Sequence, residues 1–314
     1  CCCCIEQQFK VNSCSMQQQQ VNLNKRGREI IMKTTLAKLV NISLIIAVCL
    51  FLFSSCIRKK GDFGKVVTKN IPIEKFQELE VAALVPVHII QGKKCSIKVK
   101  GQERLLSYLD FDVIEGKLTV QIKNPDSAFG QLFFPYSMEK VNSNIELYIT
   151  APNLTHINLQ GSNPIIFSDS ITLDNLIINS DFGCNVTINK MRINQLNFVI
   201  ADDMGINIKS LTAKQANFDI SGNGKIRLNS GHIDNTSFSI AGNADLKIRN
   251  LTAKKARFAV PGNADLDVNF NRTDTASFYI MGNTDAKITG TTRLPIQMIE
   301  GGKAVIKNET TRIK

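Results

Sequence analysis

The stretch that decides the fold is FDISGN at residues 218–223, which recurs as FSIAGN at 238–243, FAVPGN at 258–263 and FYIMGN at 278–283. An earlier copy, FVIADD, lies at 198–203, so the phenylalanines stand about 20 residues apart throughout. A unit of this length, with one Phe-x-Ile strand and one turn, cannot bury its apolar face alone and must stack on its neighbours. The repeat therefore predicts an all-β fold, a single-stranded parallel β-helix (β-solenoid) of about 20 residues per coil, which we expect to be right-handed.

The repeat can be followed backwards through Ile206 and Ile208 to Cys184 and Val186, which gives about seven coils between residues 159 and 288. We expect each coil to contribute roughly four inward apolar positions on two short strands. The Gly-Asn pair would form the turn between these strands, with a residue at positive φ. Before the repeat, residues 105–109 are compatible with a short turn or helix, and the surrounding segments alternate with the period of strands.

Stacking places equivalent positions of successive coils in columns, about 4.8 Å apart. One column holds Asn223, Asn243, Asn263 and Asn283, whose side chains we expect to hydrogen-bond to each other. A second column alternates in charge and would favour the correct register: Lys214, Asp234, Lys254 and Asp274. A third column, with Asp245, Asp265 and Asp285, predicts a solvated edge or, alternatively, a calcium site, although the spacing does not match a nine-residue calcium-binding β-roll.

The N-terminal segment has the pattern of a lipoprotein signal. Met32 opens a short basic stretch, an apolar run follows at 44–53, and two serines precede Cys56. We therefore expect a signal peptide at 32–55, lipid attachment at Cys56 and a tether at 56–72, with a permanent N-terminal anchor as the alternative. Residues 1–31 show no hydrophobic pattern, and we interpret them as a non-native or disordered extension.

Composition restricts the class of partner and of chemistry. Removing residues 1–55 leaves 32 basic and 25 acidic residues, a net charge of +7 with both signs interspersed, which argues against nucleic acid as a partner. Only Cys95 and Cys184 remain after Cys56, and they are expected to be thiols without a disulfide framework. The three histidines have no metal-ligand spacing, so we expect no metal and no cofactor.

The search for catalytic residues finds one weak candidate. No nucleophile elbow, phosphate-binding loop or Cys-x-x-Cys follows Cys56. Asp202-Asp203 replaces the Gly-Asn pair in one coil and would be the acid pair of a β-helix carbohydrate-active enzyme, or else an ordinary turn. We therefore expect a protein that is not an enzyme.

One segment outside the repeat has the composition of a contact site. Residues 129–138 contain four aromatic residues in ten positions, in a connection between strands where polar residues are usual: Phe129, Phe133, Phe134 and Tyr136. An aromatic cluster of this kind predicts a binding surface for a ligand, a partner or a membrane, with packing against the solenoid as the alternative.

The segments FQELEV at 76–81, VHIIQG at 87–92, IKV at 97–99 and EGKLTV at 115–120, followed by the Gly-Asn coils, resemble the head GIN domain family of auto-transporter adhesins over residues 73 to 300. The resemblance implies an all-β solenoid domain exported by Gram-negative bacteria, and it supplies no catalytic residues. The repeat itself fades after Ile288, and because a solenoid needs atypical terminal coils, we expect residues 301–314 to form a C-terminal cap or tail.

These observations favour a lipid-anchored binding or adhesion module of the cell envelope without catalytic activity. Its predicted place is the outer membrane, facing either the periplasm or the cell surface, and its predicted ligand is a glycan, a protein or a hydrophobic molecule. A β-helix carbohydrate-active enzyme and a structural periplasmic protein of a signalling operon are the alternatives.

Overall fold

The computed structural model describes residues 64–83, 85–123, 145–161 and 164–313. These residues form a nearly all-β domain with one short helix, in which stacked parallel coils make a β-solenoid of about 8 turns. The predicted fold class is thus confirmed. Within the described residues, no helix has the length and hydrophobicity needed to cross a membrane.

The elements before the regular coils are β1 (Val66–Ile71), β2 (Glu78–Val81), β3 (Val87–Gln91), β4 (Ser96–Gln102), α1 (Glu103–Leu106), β5 (Leu109–Ile114), β6 (Lys117–Ile122), β7 (Glu146–Ala151) and β8 (His156–Leu159). The coils follow as β9 (Pro164–Ser180), β10 (Cys184–Ile200), β11 (Met204–Ile220), β12 (Gly224–Ile240), β13 (Ala244–Val260), β14 (Ala264–Thr273), β15 (Thr275–Ile280), β16 (Thr284–Thr292), β17 (Gln297–Glu300) and β18 (Val305–Arg312).

Each complete coil has three inward-facing sides rather than two. In β10 the buried residues alternate as in any strand, but two adjacent outward pairs, Asn189-Lys190 and Asn194-Gln195, interrupt the alternation. At each pair the strand bends around a corner, because two consecutive outward side chains are incompatible with a straight pleat. The expected four inward positions on two short strands are therefore wrong: eight residues of β10 are buried in one 17-residue strand.

The phenylalanine column fills the core of these coils as predicted. Successive coils pair in parallel with a constant register, so that Phe198 lies beside Phe218, Phe218 beside Phe238, and so on to Phe278. The rings are buried and stacked, with centroids 4.5 Å apart and planes within 4° for Phe218 and Phe238. Offset or parallel stacking of buried rings adds about 0.5–1.5 kcal/mol per pair beyond the burial of area.

The Gly-Asn pairs lie in the turns between coils, and their glycines do not supply the positive φ that we expected there. Gly222, Gly242, Gly262 and Gly282 are not among the residues with positive φ. A Cβ at Gly242 would instead overlap the carbonyl oxygen of Gly222 in the coil before it, and the other three meet the same obstacle. Glycine is required here because the turns of successive coils approach each other closely.

The first coils do not stack in the order of the chain. β2 lies between β6 and β8, and β3 lies between β7 and β9, all in parallel. The coil formed by β2 and β3 is therefore inserted between the coil of β6 and β7 and the coil of β8 and β9, although it comes first in the sequence. The coil of β6 and β7 is left as the last parallel coil at this end of the solenoid.

An antiparallel layer covers this N-terminal end. β4 pairs antiparallel with β7, and β5 pairs antiparallel with β6, with α1 between them. Leu105 and Leu106 of α1 are buried against the core, which confirms the short helical turn expected there. β1, which lies in the segment predicted to be a tether, pairs antiparallel with β4.

The C-terminal end continues the parallel stack. β17 pairs with β15, and β18 pairs with β16. Residues 305–312, which we expected in a cap or tail, are thus the strand of a further coil.

Candidate functional site

The predicted contact residues lie outside the part of the chain that the structure describes. This applies to Cys56 and to the aromatic residues Phe129, Phe133, Phe134 and Tyr136. The segment 124–144 connects β6 to β7, and both strands belong to the last parallel coil of the N-terminal end. The aromatic contact site therefore stays a prediction, and its flanking strands show where along the solenoid the segment begins and ends.

One outward side of the solenoid, here called the long face, collects most of the charged columns. Its central row crosses adjacent strands in register and consists of Lys98, Tyr148, His88, Ile166, Thr187, Asn207, Arg227, Lys247, Asp267, Lys287 and Lys307. None of these residues is buried. Because the backbone of parallel in-register coils is rigid, the row presents its side chains at a fixed spacing of about 4.8 Å.

A cluster around Tyr148 occupies the N-terminal end of the long face. The imidazole of His88 stacks on the Tyr148 ring with centroids 4.6 Å apart, and Lys98 Nζ lies 5.0 Å from the centroid of the same ring. β3 and β4 flank β7 on opposite sides, so these two side chains cover opposite faces of the ring. Tyr148 therefore presents its phenol edge, and neither face is open for stacking on a ligand.

Hydrogen bonding couples this tyrosine to a carboxylate. Tyr148 Oη donates to Glu146 Oε2 at 2.6 Å, and Lys100 Nζ lies 3.3 Å from the same oxygen. The hydrogen bond from Tyr148 is the main cause that lowers the pKa of Glu146, and it raises the pKa of Tyr148 in turn. Because Glu146 is a stabilised anion, it is suited to accept hydrogen bonds and unsuited to act as a general acid.

A shallow charged groove lies further along the long face. Its sides are formed by Lys225, Arg227, Asp245, Lys247, Asp265 and Asp267, over the buried Ile226, Leu246 and Leu266. The three cations and three anions balance, and two of the pairs are in contact, Lys247 with Asp267 at 2.7 Å and Lys225 with Asp245 at 3.9 Å. The groove is an open, solvated surface, so these ion pairs contribute little to stability.

The asparagine column is a ladder of side-chain hydrogen bonds. Asn223 Nδ2 donates to Asp203 Oδ1, Asn243 Nδ2 to Asn223 Oδ1 and Asn263 Nδ2 to Asn243 Oδ1, at 2.9–3.1 Å. This confirms the expected structural ladder. The alternating column also contains the expected contact, because Lys254 Nζ lies 3.1 Å from Asp234 Oδ2.

The acid pair predicted for a carbohydrate-active enzyme is part of this turn column. Asp202 has a positive φ of 73°, and the Asp203 carboxylate is the acceptor at the start of the asparagine ladder. Burial raises the pKa of the Cys184 thiol to about 12, so this cysteine is a poor nucleophile. In the described ranges no three His, Cys, Asp or Glu side chains come together as a metal site, and Cys95 and Cys184 are both free thiols.

The sequence profile of the family described as "Putative auto-transporter adhesin, head GIN domain" matches residues 75–292. The chain belongs to this family. The match runs from β2 to β16, so the head GIN domain includes most of the parallel coils together with β4, α1 and β5 of the antiparallel layer. Comparison with curated proteins gives no match.

Solved structures share the fold of this head GIN domain. A putative adhesin from Parabacteroides merdae superposes with a TM-score of 0.58 at 17% identity, covering 80% of this chain and 97% of that one. A putative adhesin from Parabacteroides distasonis gives 0.57 at 17% identity, with 80% and 98% covered. A structure from the same species, described as a putative lipid binding protein, gives 0.54 at 18% identity, again with 80% and 98% covered. At this identity the similarity concerns the fold.

Proposed function

We propose that the protein is a non-catalytic binding module of the cell envelope, anchored by a lipid on Cys56, that binds a glycan or a protein at the N-terminal end of its solenoid. The contact site would combine the aromatic segment 129–138 with the Tyr148 cluster. The observation that carries this proposal is their proximity along the chain, since β7 begins at Glu146, shortly after the aromatic segment, and brings Tyr148 with it.

The two parts of this site supply different interactions. Aromatic side chains of the segment would provide apolar contact area and stacking surfaces, which Tyr148 lacks because His88 and Lys98 cover its ring. Lys98 and Lys100 would donate hydrogen bonds, and Glu146 would accept them. Such a combination of an aromatic anchor with a polar rim is typical of binding interfaces.

The proposed absence of catalytic activity rests on the acids and the thiol among the described residues, which do not form a catalytic arrangement. Among the residues that the structure describes, the only adjacent acid pair of the coils, Asp202-Asp203, is held in a turn ladder, and Cys184 is buried with a raised pKa. Glu146 has a lowered pKa, which is opposite to the shift that a general acid requires. The family name, which refers to adhesins, supports a binding role.

The proposal can be tested by binding of intact cells and of the purified full chain to immobilised glycans and envelope proteins. A Phe133→Ser, Phe134→Ser double variant should lose binding while keeping the thermal unfolding curve of the wild type. Val199→Ser is a control, because Val199 is 50% exposed and lies on β10, and it belongs to neither the aromatic segment nor the Tyr148 cluster. Equal binding by the double variant and the control would refute the proposed contact site.

Lys98→Ala and Lys100→Ala variants test the polar part of the same site. Each should weaken binding by about three- to tenfold, the effect of removing one hydrogen bond that contributes about 0.7–1.4 kcal/mol at an exposed surface. Lys287→Ala, on the long face but in a distant coil, serves as the control. Labelling of intact cells by a membrane-impermeant reagent then decides between the periplasmic and the surface orientation.

A further inference from the structure

The C-terminal end of the solenoid is an unpaired sheet edge. β17 and β18 pair on one side with β15 and β16, and the described residues supply no strand on the other side of either. Backbone N–H and C=O groups along such an edge are available to another strand. The edge strand β18 has eight residues, which is long for an exposed edge that natural proteins leave uncovered.

Apolar side chains concentrate around this edge. Six of the exposed large apolar residues belong to the last coils: Tyr279, Met281, Leu294, Ile299, Val305 and Ile313. In the inward columns, Ile306 is only partly buried, whereas Ala286 beside it is 3% exposed. Part of the core column is thus left open to solvent at this coil, as expected where the described residues place no further coil beside it.

The opposite end of the solenoid cannot serve as the neighbour of this one. It is covered by β4, α1 and β5, which run antiparallel to the coil beneath them. Among the described residues only the C-terminal end has a parallel coil with no strand on its outer side, so copies cannot continue the parallel stack head to tail. Tail-to-tail association instead closes as a two-fold dimer, in which the two terminal coils run antiparallel.

The sequence of β18 is complementary to itself in this arrangement. When two copies pair antiparallel about Asn308, Lys307 lies opposite Glu309 of the second copy, and the same contact forms again on the other side of the axis. Opposed side chains in an antiparallel pair have Cβ atoms about 4.5–5.5 Å apart, close enough for an ion pair. A shift of one residue would lose both contacts, so the charges also specify the register.

The residue on the axis fits the same arrangement. Asn308 lies in the inward column next to the buried Ile288, where every complete coil has an apolar side chain. Within one copy, Asn308 Oδ1 accepts from the N–H of Thr310 at 3.2 Å and from its hydroxyl at 2.8 Å. In the dimer the Thr310 N–H would donate to the second strand instead, and Asn308 Oδ1 would be released to accept from Nδ2 of the second Asn308. A single polar pair of this kind in an apolar interface specifies the partner and the register at some cost in stability.

We propose that the C-terminal coil is a homodimer interface, in which β18 pairs antiparallel with β18 of a second copy and the partly buried inward residues Ile306 and Met298 become covered. The dimer would join two solenoids into one longer rod with an antiparallel layer at each end. The proposed ligand site near β7 would then be present twice, at the two far ends. This inference is independent of the identity of that ligand.

Disulfide cross-linking of the full chain in intact cells tests the interface. Asn308→Cys places the two thiols opposite each other, and mild oxidation should give a species of twice the monomer mass on a non-reducing gel. Thr289→Cys is the control, because Thr289 lies one coil inward on β16. Residue 289 of one copy would be at least about 14 Å from residue 289 of the other, which is beyond the reach of a disulfide. A monomer at Asn308→Cys, or a product with a protein of another mass, would overturn the proposal.

Charge reversal in the Asn308→Cys background separates self-pairing from chance collision. Lys307→Glu opposes like charges twice and should reduce the cross-linked dimer about tenfold at dilute expression. Adding Glu309→Lys should restore it, since the two contacts are then recreated with the signs exchanged, and Lys287→Glu should leave it unchanged. Failure of the double variant to restore the dimer, with an unchanged far-UV spectrum, would show that β18 does not pair with itself.

Discussion

Truncation of Phe238 is the most direct test of the stacked core, because this ring has a neighbour on each side. Phe238 is 1% exposed and stacks on Phe218 at 4.5 Å and on Phe258 at 5.3 Å between centroids. Phe→Ala changes in cores cost about 3–5 kcal/mol, and a site held by in-register backbone on both sides can collapse little, so we expect about 5 kcal/mol for Phe238→Ala. Phe238→Leu keeps most of the apolar volume and loses two ring pairs, which predicts about 1–3 kcal/mol.

The measurement is urea unfolding of the purified full chain, followed by far-UV circular dichroism, with the slope of the transition compared between variants. Val199→Ala is the control, because Val199 is 50% exposed, and a surface change of this kind should alter the free energy of unfolding by about 0.5 kcal/mol or less. A cost for Phe238→Ala below about 2 kcal/mol, or equal to that of the control, would refute the continuous aromatic column. An altered slope would show instead that the coils unfold separately.

Three further predictions concern the turn column, the buried thiol and the carboxylate of the long face. Gly242→Ala should destabilise the protein by about 1–3 kcal/mol in the same urea assay, because its Cβ would overlap the Gly222 carbonyl oxygen, whereas alanine at Gly116, with open space around its Cβ but positive φ, should cost about 1–2 kcal/mol through strain alone. Cys184, with a pKa raised to about 12, should resist iodoacetamide at pH 8 in the folded protein and react in urea; rapid labelling without denaturant would contradict its burial. Tyr148→Phe should raise the pKa of Glu146 towards its ordinary value, as read from the carboxyl carbon shift in an NMR titration. A carboxyl group whose pKa is lowered by folding stabilises the folded protein above its unfolded pKa, and this stability is lost as the pH falls through the folded pKa, so the variant should be less sensitive to acid between about pH 4.5 and the lower folded pKa. An unchanged titration would show that the hydrogen bond to Tyr148 is not the cause.

The candidate site could be predicted only in its parts. Tyr148, His88 and Lys98 are each ordinary outward residues of alternating strands, and nothing in their local sequence connects them. Their contact depends on β3 and β4 flanking β7, which involves the non-sequential order of the first coils. The edge of β18 could not be predicted either, because the repeat fades after Ile288 and the sequence then predicts only an atypical cap or tail, without its strand pairing.

What the sequence by itself determined is the period of the coil, the stacking of Phe198 to Phe278 and the asparagine ladder, because each depends on a spacing that recurs along the chain and identical residues then meet in register. Only the tertiary structure decided the three-sided cross-section, the position of the β2–β3 coil between two later coils, and the antiparallel layer at one end. A corner shows in the sequence only as two adjacent outward residues, a pattern that loops share, and the pairing of strands distant in sequence depends on which edge is free when they meet. The sequence likewise shows a glycine at each turn but not why it is needed, because the carbonyl group that excludes a Cβ belongs to the preceding coil and approaches only once the coils are stacked.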